Sequence, residues 1–197
     1  LVTVRADDWL SPTVRTVFSP NGTYFVRVTP GATINTRPAP GTTNPARAGA
    51  GARGEFYARR ADRSYALVAD VRLQNPVSPA YAIVTNEGHF VTFDDWFTLG
   101  FSRAIVFYRP NGQRVREYAV EELYPPDRLQ EIPRSVSSRW WRCGVWYTPA
   151  SGGNGESLTV LEHFGGSFQL DARAATFSYR SGTGTCEPGH AVKFSGN

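Results

Sequence analysis

One recurring pattern limits the fold of this chain more than any other feature. An apolar or aromatic run meets a short turn of Gly, Asn or Pro, and a second such run follows. Two runs joined in this way form an antiparallel hairpin, because Asn and Gly tolerate the positive φ of tight turns. The sequence therefore predicts an all-β protein of antiparallel hairpins, with turns at Ser19-Pro20-Asn21-Gly22, Asn86-Glu87-Gly88, Arg109-Pro110-Asn111-Gly112 and around Gly165-Gly166.

The flanking runs give the predicted strands. Four hairpins pair residues 13–18 with 24–28, 82–85 with 90–93, 105–108 with 115–120, and 158–162 with 168–170. A further pair, 55–59 and 65–73, lies around the turn at Asp62-Arg63-Ser64. In 65–73 the apolar residues occupy odd positions, so we expect these side chains to face one core.

Two segments depart from the β pattern. Residues 29–53 are rich in Gly, Pro, Ala, Thr and Asn, which predicts a long surface arm. Residues 120–132 favour one helical turn at 121–123 and a second short helix at 127–131, with Asp127 as its N-cap. We therefore predict a single β domain over residues 1–197, with this arm and one or two short helices.

The turns Ser19-Pro20-Asn21-Gly22 and Arg109-Pro110-Asn111-Gly112 resemble the hairpin turns of bacterial β-propeller blades, and Asn86-Glu87-Gly88 is a looser match. The resemblance covers less than half of the chain and implies four-stranded blades. The turn glycines at 22, 88, 112 and 166 follow no fixed period. Four strands per blade would give roughly two to three blades, too few to close a usual propeller. We expect either a propeller-like open stack of sheets or a β-sandwich.

The chain begins at Leu1 and contains no Met, which favours an N-terminus made by removal of a secretory signal peptide. Its two cysteines, Cys143 and Cys186, would pair in an oxidising compartment and close a loop of about 40 residues. Such a bridge stabilises a fold by about 4 kcal/mol. Two buried free thiols are the alternative. We expect an exported protein, periplasmic or extracellular.

Charge argues against several partners. The net charge is +4, and nearly all of the positive charge is arginine, since Lys193 is the only lysine. The arginines are scattered among acidic residues, as Arg59, Arg60 and Arg63 are around Asp62. No run of five or six like charges forms a patch for nucleic acid or lipid. No stretch of the sequence approaches 18 consecutive apolar residues, so we predict no membrane span within it.

The sequence predicts no catalytic, metal or cofactor site. His89, His163 and His190 are isolated from one another, and no Cys and His residues have the spacing of a zinc site. No Gly-x-Ser-x-Gly motif marks a nucleophilic serine. Asp94 and Asp95 are adjacent, so on a strand their side chains point to opposite faces.

The segment 135–147 holds three of the five tryptophans within seven positions. One interpretation is a core strand with Trp141 on one face and Trp140 and Trp146 on the other. The second is a contact surface, because Trp, Tyr and Arg concentrate binding energy at protein interfaces and also stack on sugar rings. The candidate interface comprises Arg139, Trp140, Trp141, Arg142, Trp146 and, from the neighbouring cluster 93–97, Trp96.

Three functional hypotheses follow. The preferred one is a non-catalytic exported interaction module, an accessory or scaffold subunit packed on the extracytoplasmic face of a larger assembly such as a membrane complex. Its partners would be the other protein subunits. The second is a carbohydrate or cell-wall binding module that uses the Trp/Arg segment. The third is a hydrolase on an open β scaffold, for which the candidates are Asp94 or Asp95, His89 and Glu162.

Overall fold

The computed structural model describes residues 10–31, 51–150 and 156–184. Within these ranges, twelve strands form three four-stranded antiparallel sheets that stack on one another and close no barrel. In every sheet the strands lie side by side in chain order, so each sheet is a simple meander. The predicted all-β fold is confirmed, in the form of an open stack of sheets.

The strands agree with most of the predicted runs. The first sheet contains β1 (Arg15–Phe18), β2 (Tyr24–Thr29), β3 (Arg53–Arg59) and β4 (Tyr65–Arg72). The second sheet contains β5 (Pro79–Val84), β6 (Phe90–Asp95), β7 (Arg103–Tyr108) and β8 (Arg114–Ala119). The third sheet contains β9 (Arg142–Thr148), β10 (Ser157–Glu162), β11 (Ser167–Asp171) and β12 (Thr176–Arg180). The strand β12 was not among the predicted runs.

The two predicted helices are present, but the second begins earlier than expected. They are α1 (Val120–Leu123) and α2 (Pro126–Glu131). Pro125 is the N-cap of α2, and Pro126 occupies its first position, where the missing N–H costs nothing. The prediction of Asp127 as N-cap is therefore wrong, and this residue lies in the first turn.

In the second sheet the central strands β6 and β7 are buried on both faces, which explains their nearly continuous apolar sequences. On β7, Val106 and Tyr108 pack against the first sheet. Ile105 and Phe107 point the opposite way, into the core shared with the third sheet and the helices. The first and third sheets each leave one face directed outward, and these two outer faces lie on opposite sides of the stack.

A β-bulge in β4 corrects the predicted alternation of residues 65–73. Phe56 pairs with Ala69, but the next residue, Tyr57, pairs with Leu67, so Val68 is an extra residue in β4. Beyond the bulge the pattern is inverted. Ala69, Val71 and Leu73 pack into the core, whereas Leu67 and Tyr65 lie on the outer face.

The predicted arm at 29–53 is anchored at both of its ends. Thr29 ends β2 and Arg53 begins β3. The amide of Gly31 donates to the carbonyl oxygen of Val77 at 2.8 Å, and Ala52 is buried in the core. Residues 32–50 of the arm lie outside the described residues.

The meander order gives the stack two distinct ends. One, here called the turn end, carries the β1–β2, β3–β4, β5–β6 and β7–β8 turns. The amide of Asn21 donates there to Oδ1 of Asn86 at 3.0 Å, which joins the turns of the first two sheets. The other, here called the helix end, carries α1, α2 and the loop between β6 and β7.

Candidate functional site

The six residues of the candidate interface do not form one surface. Trp141 and Arg142 lie inside the helix end, where both donate to the buried carboxylate of Asp94. Nε1 of Trp141 is 2.7 Å from Oδ1 of Asp94, and Nε of Arg142 is 2.8 Å from Oδ2. The amide of Gly100 donates to the same Oδ1 at 3.0 Å. This carboxylate joins the end of β6 to the start of β9, and Trp141 is only 1% exposed.

Asp95 points away from Asp94, as adjacent strand residues do. Its carboxylate accepts hydrogen bonds from Asn75 Nδ2 at 2.7 Å and from the hydroxyl of Ser102, and it pairs with Arg103. Burial raises the pKa of Asp95, while these hydrogen bonds and the Arg103 charge act in the opposite direction. Both aspartates therefore hold the helix end together.

Arg139, Trp140 and Trp96 line the loops of the helix end. The amide of Arg139 donates to the carbonyl of Leu99 at 2.8 Å, and its guanidinium lies 5.1 Å from the centre of the Phe101 ring. The amide of Trp140 donates to the carbonyl of Pro133 at 3.0 Å. Nε1 of Trp96 donates to the carbonyl of Leu10 at 3.0 Å. All three side chains are partly buried.

Trp146 lies on a different surface, the outer face of the third sheet. It points away from Val145 and Tyr147, which pack into the core, and it is 48% exposed. The segment 135–147 therefore combines both interpretations, because Trp141 is core and Trp146 is surface.

The other hydrolase candidates, Glu162 and His89, do not come together in one site, because they lie at opposite ends of the strands. Glu162 is fully buried and accepts hydrogen bonds from the amides of Phe164 and Gly166 at 2.8 and 2.7 Å. The hydroxyls of Tyr124 and Tyr179 donate to it at 3.2 and 3.3 Å. Burial, followed by the Glu162 charge, raises the pKa of both tyrosines. The carboxylate thus closes the β10–β11 turn at the helix end.

His89 is nearly buried at the turn end and lies at the opposite end of β6 from Asp95. Burial lowers the pKa of its imidazole, and Glu87, whose carboxylate lies 3.9 Å from Nδ1, acts in the opposite direction. Among the described residues, no group of three or more His, Cys, Asp or Glu side chains is placed to hold a metal ion.

Cys143 lies in β9, with its Sγ 3.4 Å from the carbonyl oxygen of Glu162. Its predicted partner Cys186 lies outside the described residues, as does His190. The Cys143–Cys186 bridge therefore stays a prediction.

An aromatic surface on the first sheet was not predicted from the sequence. Phe18, Phe25, Tyr57 and Leu67 are direct partners across its four strands and form one continuous row on the outer face. The rings of Phe25 and Tyr57 are stacked, with centroids 4.4 Å apart and planes at 16°. Phe18 and Leu67 are 54% and 53% exposed. We call this set, together with Tyr65, the aromatic row.

Tyr65 joins the row because of the bulge in β4. Its ring lies edge-on to Phe25, with centroids 4.8 Å apart, and its hydroxyl donates to the carbonyl of Gly22 at 2.6 Å. Simple alternation would have placed Tyr65 and Leu67 in the core. The only signal in the sequence was that Phe18, Phe25 and Tyr57 are aromatic residues at outward positions of three neighbouring strands. That signal can be recognised only once the strand register is known.

Charged side chains flank the aromatic row, and some of them form ion pairs. The next row across the sheet contains Thr16, Arg27, Glu55 and Asp70. Arg27 pairs with Glu55 at 3.5 Å, and Arg53 pairs with Asp70. Arg59, the partner of Tyr65, and Arg72, the partner of Arg53, lie on the same face. The outer face of the first sheet is therefore aromatic toward the turn end and carries more arginines than acidic residues.

Membrane insertion by a helix has no candidate in the described ranges, since none of their helices is long and apolar enough to cross a bilayer. Comparisons with protein-family models, curated proteins and solved structures find no match to this chain.

Proposed function

We propose that this protein is a non-catalytic interaction module, exported and packed as an accessory or scaffold subunit on the extracytoplasmic face of a larger assembly. The aromatic row on the first sheet is the proposed contact surface for another protein subunit. The observation that carries the proposal is that this row of large apolar side chains lies on a sheet face directed toward solvent.

The chemistry of the face supports a protein partner. The solvated face of an antiparallel sheet is ordinarily polar, whereas here phenyl and phenol rings lie side by side across four strands. Aromatic side chains concentrate binding energy at protein interfaces. Phe25 and Tyr57 already hold each other in place, so binding would cost little side-chain entropy.

A non-catalytic role is supported by Asp94 and Glu162, whose carboxylates are occupied by structural hydrogen bonds.

The test is the native mass of tagged protein extracted gently from its own source, membranes included. We expect the wild type to migrate with a larger assembly. The double variant Phe18→Ser/Leu67→Ser removes two of the most exposed members of the row and should release the protein as a free chain. The partner is then identified by mass spectrometry of the wild-type band.

The matched control is Val136→Ser, which removes an even more exposed apolar side chain at the helix end, far from the row. This variant should remain in the assembly. A wild-type protein that migrates as a free monomer would contradict the proposed function. Retention of the Phe18/Leu67 variant in the assembly would instead contradict the assignment of the surface.

A further inference from the structure

The outer face of the third sheet differs sharply from that of the first. Its register places Trp146, Thr159, Gln169 and Ser178 as direct partners across all four strands. One aromatic ring is thus followed by three uncharged hydrogen-bonding side chains. Neighbouring strands are about 4.8 Å apart, so the row extends for about 14 Å. We call these four residues the tryptophan row.

The indole of Trp146 lies on the sheet surface over Gly144. A Cβ atom at Gly144 would be 2.7 Å from Cη2 and 2.9 Å from Cζ2 of Trp146, so only glycine leaves room for the ring there. Gly144 and Trp146 are two residues apart on β9 and share the outer face. The ring is supported from below by Gly144, and it is 48% exposed.

The rest of the row supplies donors and acceptors at regular spacing. Oγ1 of Thr159 donates to Oε1 of Gln169 at 2.9 Å. This hydrogen bond orients the Gln169 amide so that its Nε2 group points away from Thr159. Nε2 has only a long contact of 3.5 Å, to Oγ of Ser167. Thr159 keeps lone pairs to accept hydrogen bonds, and the exposed hydroxyl of Ser178 can donate and accept.

From this arrangement we propose that the tryptophan row binds a neutral, linear oligosaccharide or polysaccharide. The C–H bonds on one face of a pyranose ring carry partial positive charge and pack against the negative face of an indole. Hydroxyl groups of the next units would exchange hydrogen bonds with Thr159, Gln169 and Ser178. The spacing between strands is close to the repeat of an extended hexose chain, so successive units can meet successive side chains.

The composition of the face favours a sugar over a protein. The rows on either side of the tryptophan row contain Thr148, Ser157, Asp171 and Thr176, and Gly144, Leu161, Ser167 and Arg180. Polar side chains therefore outnumber apolar ones on this face, whereas the centre of a protein interface is apolar and aromatic. The row itself carries no charge, and the two charged residues beside it have opposite signs, which favours a neutral sugar over a uronate. This site is separate from the aromatic row, which lies on the opposite outer face of the stack.

Isothermal titration calorimetry of the whole chain with cellohexaose, xylohexaose, mannohexaose and chitohexaose tests the proposal. We expect at least one of them to bind. Trp146→Ala should weaken that binding at least about tenfold, as loss of an aromatic anchor does. Ser178→Ala, at the far end of the row, should weaken the hexasaccharide by about threefold and leave the matching disaccharide unchanged.

Gly144→Ala is the most specific test of the ring position, because it retains Trp146 but displaces its ring. Gly144 does not have a positive φ, so alanine is compatible with the backbone. We expect this variant to melt near the wild-type temperature and to bind the sugar several-fold more weakly. Phe18→Ser, on the other outer face, should bind as the wild type does.

Three results would overturn the proposal. They are no heat of binding for any of the neutral hexasaccharides at millimolar concentration, equal affinity for the wild type and the Trp146→Ala variant, and binding of polygalacturonate alone. Circular dichroism of each variant confirms that a loss of binding is not a loss of fold. None of these results affects the proposed role of the first sheet, which is tested by different variants.

Discussion

At the scale of single residues, Asp94 shows how one side chain can join two sheets. It adopts a φ of +56°, which Asp tolerates better than most residues. Its carboxylate takes hydrogen bonds from Trp141, Arg142 and Gly100. The tryptophan and arginine that the sequence marked as an interface are therefore fixed by an aspartate 47 and 48 positions away.

Replacing Asp94 should be costly. Asp94→Asn keeps the shape and tolerates the same φ, but it leaves the largely buried guanidinium of Arg142 without its counter-charge. We expect a loss of about 3 kcal/mol in the free energy of unfolding, measured by urea denaturation. Asp70→Asn, which breaks the more exposed pair with Arg53, should cost less than about 1 kcal/mol. Equal losses for the two variants would refute this role.

His89 should make the stability depend on pH. Burial lowers its pKa in the folded protein, with Arg173 acting in the same direction and Glu87, Glu156 and Asp171 acting against it. The unfolded chain therefore binds a proton more readily, near the ordinary pKa of about 6.5. Above about pH 6.5 the free energy of unfolding therefore has its full value. It decreases as the pH falls from the pKa of the unfolded chain to the lower pKa of the folded protein.

The measurement is the free energy of unfolding between pH 7.5 and pH 5.5. Most carboxyl groups titrate below this range and do not contribute to the change. Each unit by which the pKa is lowered corresponds to about 1.4 kcal/mol at the acid limit. The His89→Gln variant should show a flatter profile than the wild type. A profile of unchanged slope in His89→Gln would show that another group controls the response.

At the scale of elements, the turn between β5 and β6 also positions the first sheet. Gly88 has a φ of +86°, and a Cβ atom there would lie 2.8 Å from the ring of Tyr24. Gly22, in the β1–β2 turn, has a φ of +64°, but its Cβ atom would meet only the hydroxyl of Tyr65, at 3.8 Å. The two glycines therefore differ in contact and share a backbone conformation.

This difference can be measured with a matched pair of alanine variants. Gly22→Ala should cost about 1 kcal/mol, which is the penalty of a left-handed conformation for a residue with a Cβ atom. Gly88→Ala should cost roughly twice as much, because the new methyl group also displaces the Tyr24 ring between two sheets. Thermal melts of both variants compare the costs. If Gly88→Ala were the milder change, the close packing of this turn on Tyr24 would be disproved.

At the scale of the whole molecule, the second sheet is the support on which the other two are assembled. Its strands β6 and β7 are covered on both faces and bonded on both edges. The first and third sheets each have one outer face in contact with solvent, and these faces carry the two proposed binding surfaces. The two proposed binding surfaces therefore lie on opposite outer faces of a common core.

Hydrogen exchange should follow this layering. Buried, doubly bonded strands open only with the whole domain, whereas edge strands open locally. Amides of residues 90–93 and 104–108 should exchange most slowly, and those of the edge strands β1 and β12 should exchange fastest among the strands. Mass spectrometry of peptic fragments provides the comparison. Slower exchange in the third sheet than in the second would show that the sheets unfold as separate units.

The amino-acid sequence by itself determined the hairpins, the two short helices and the all-β class. These features depend on neighbouring residues, such as the φ tolerance of Asn21-Gly22 and the apolar runs on either side of it. The tertiary structure alone decided which side chains are available at a surface. The bulge at Val68 turns Tyr65 and Leu67 outward, Asp94 draws Trp141 into the core, and Gly144 supports Trp146 on a solvent-facing sheet. Those outcomes depend on strand register and on partners far away in the chain, neither of which local sequence patterns encode.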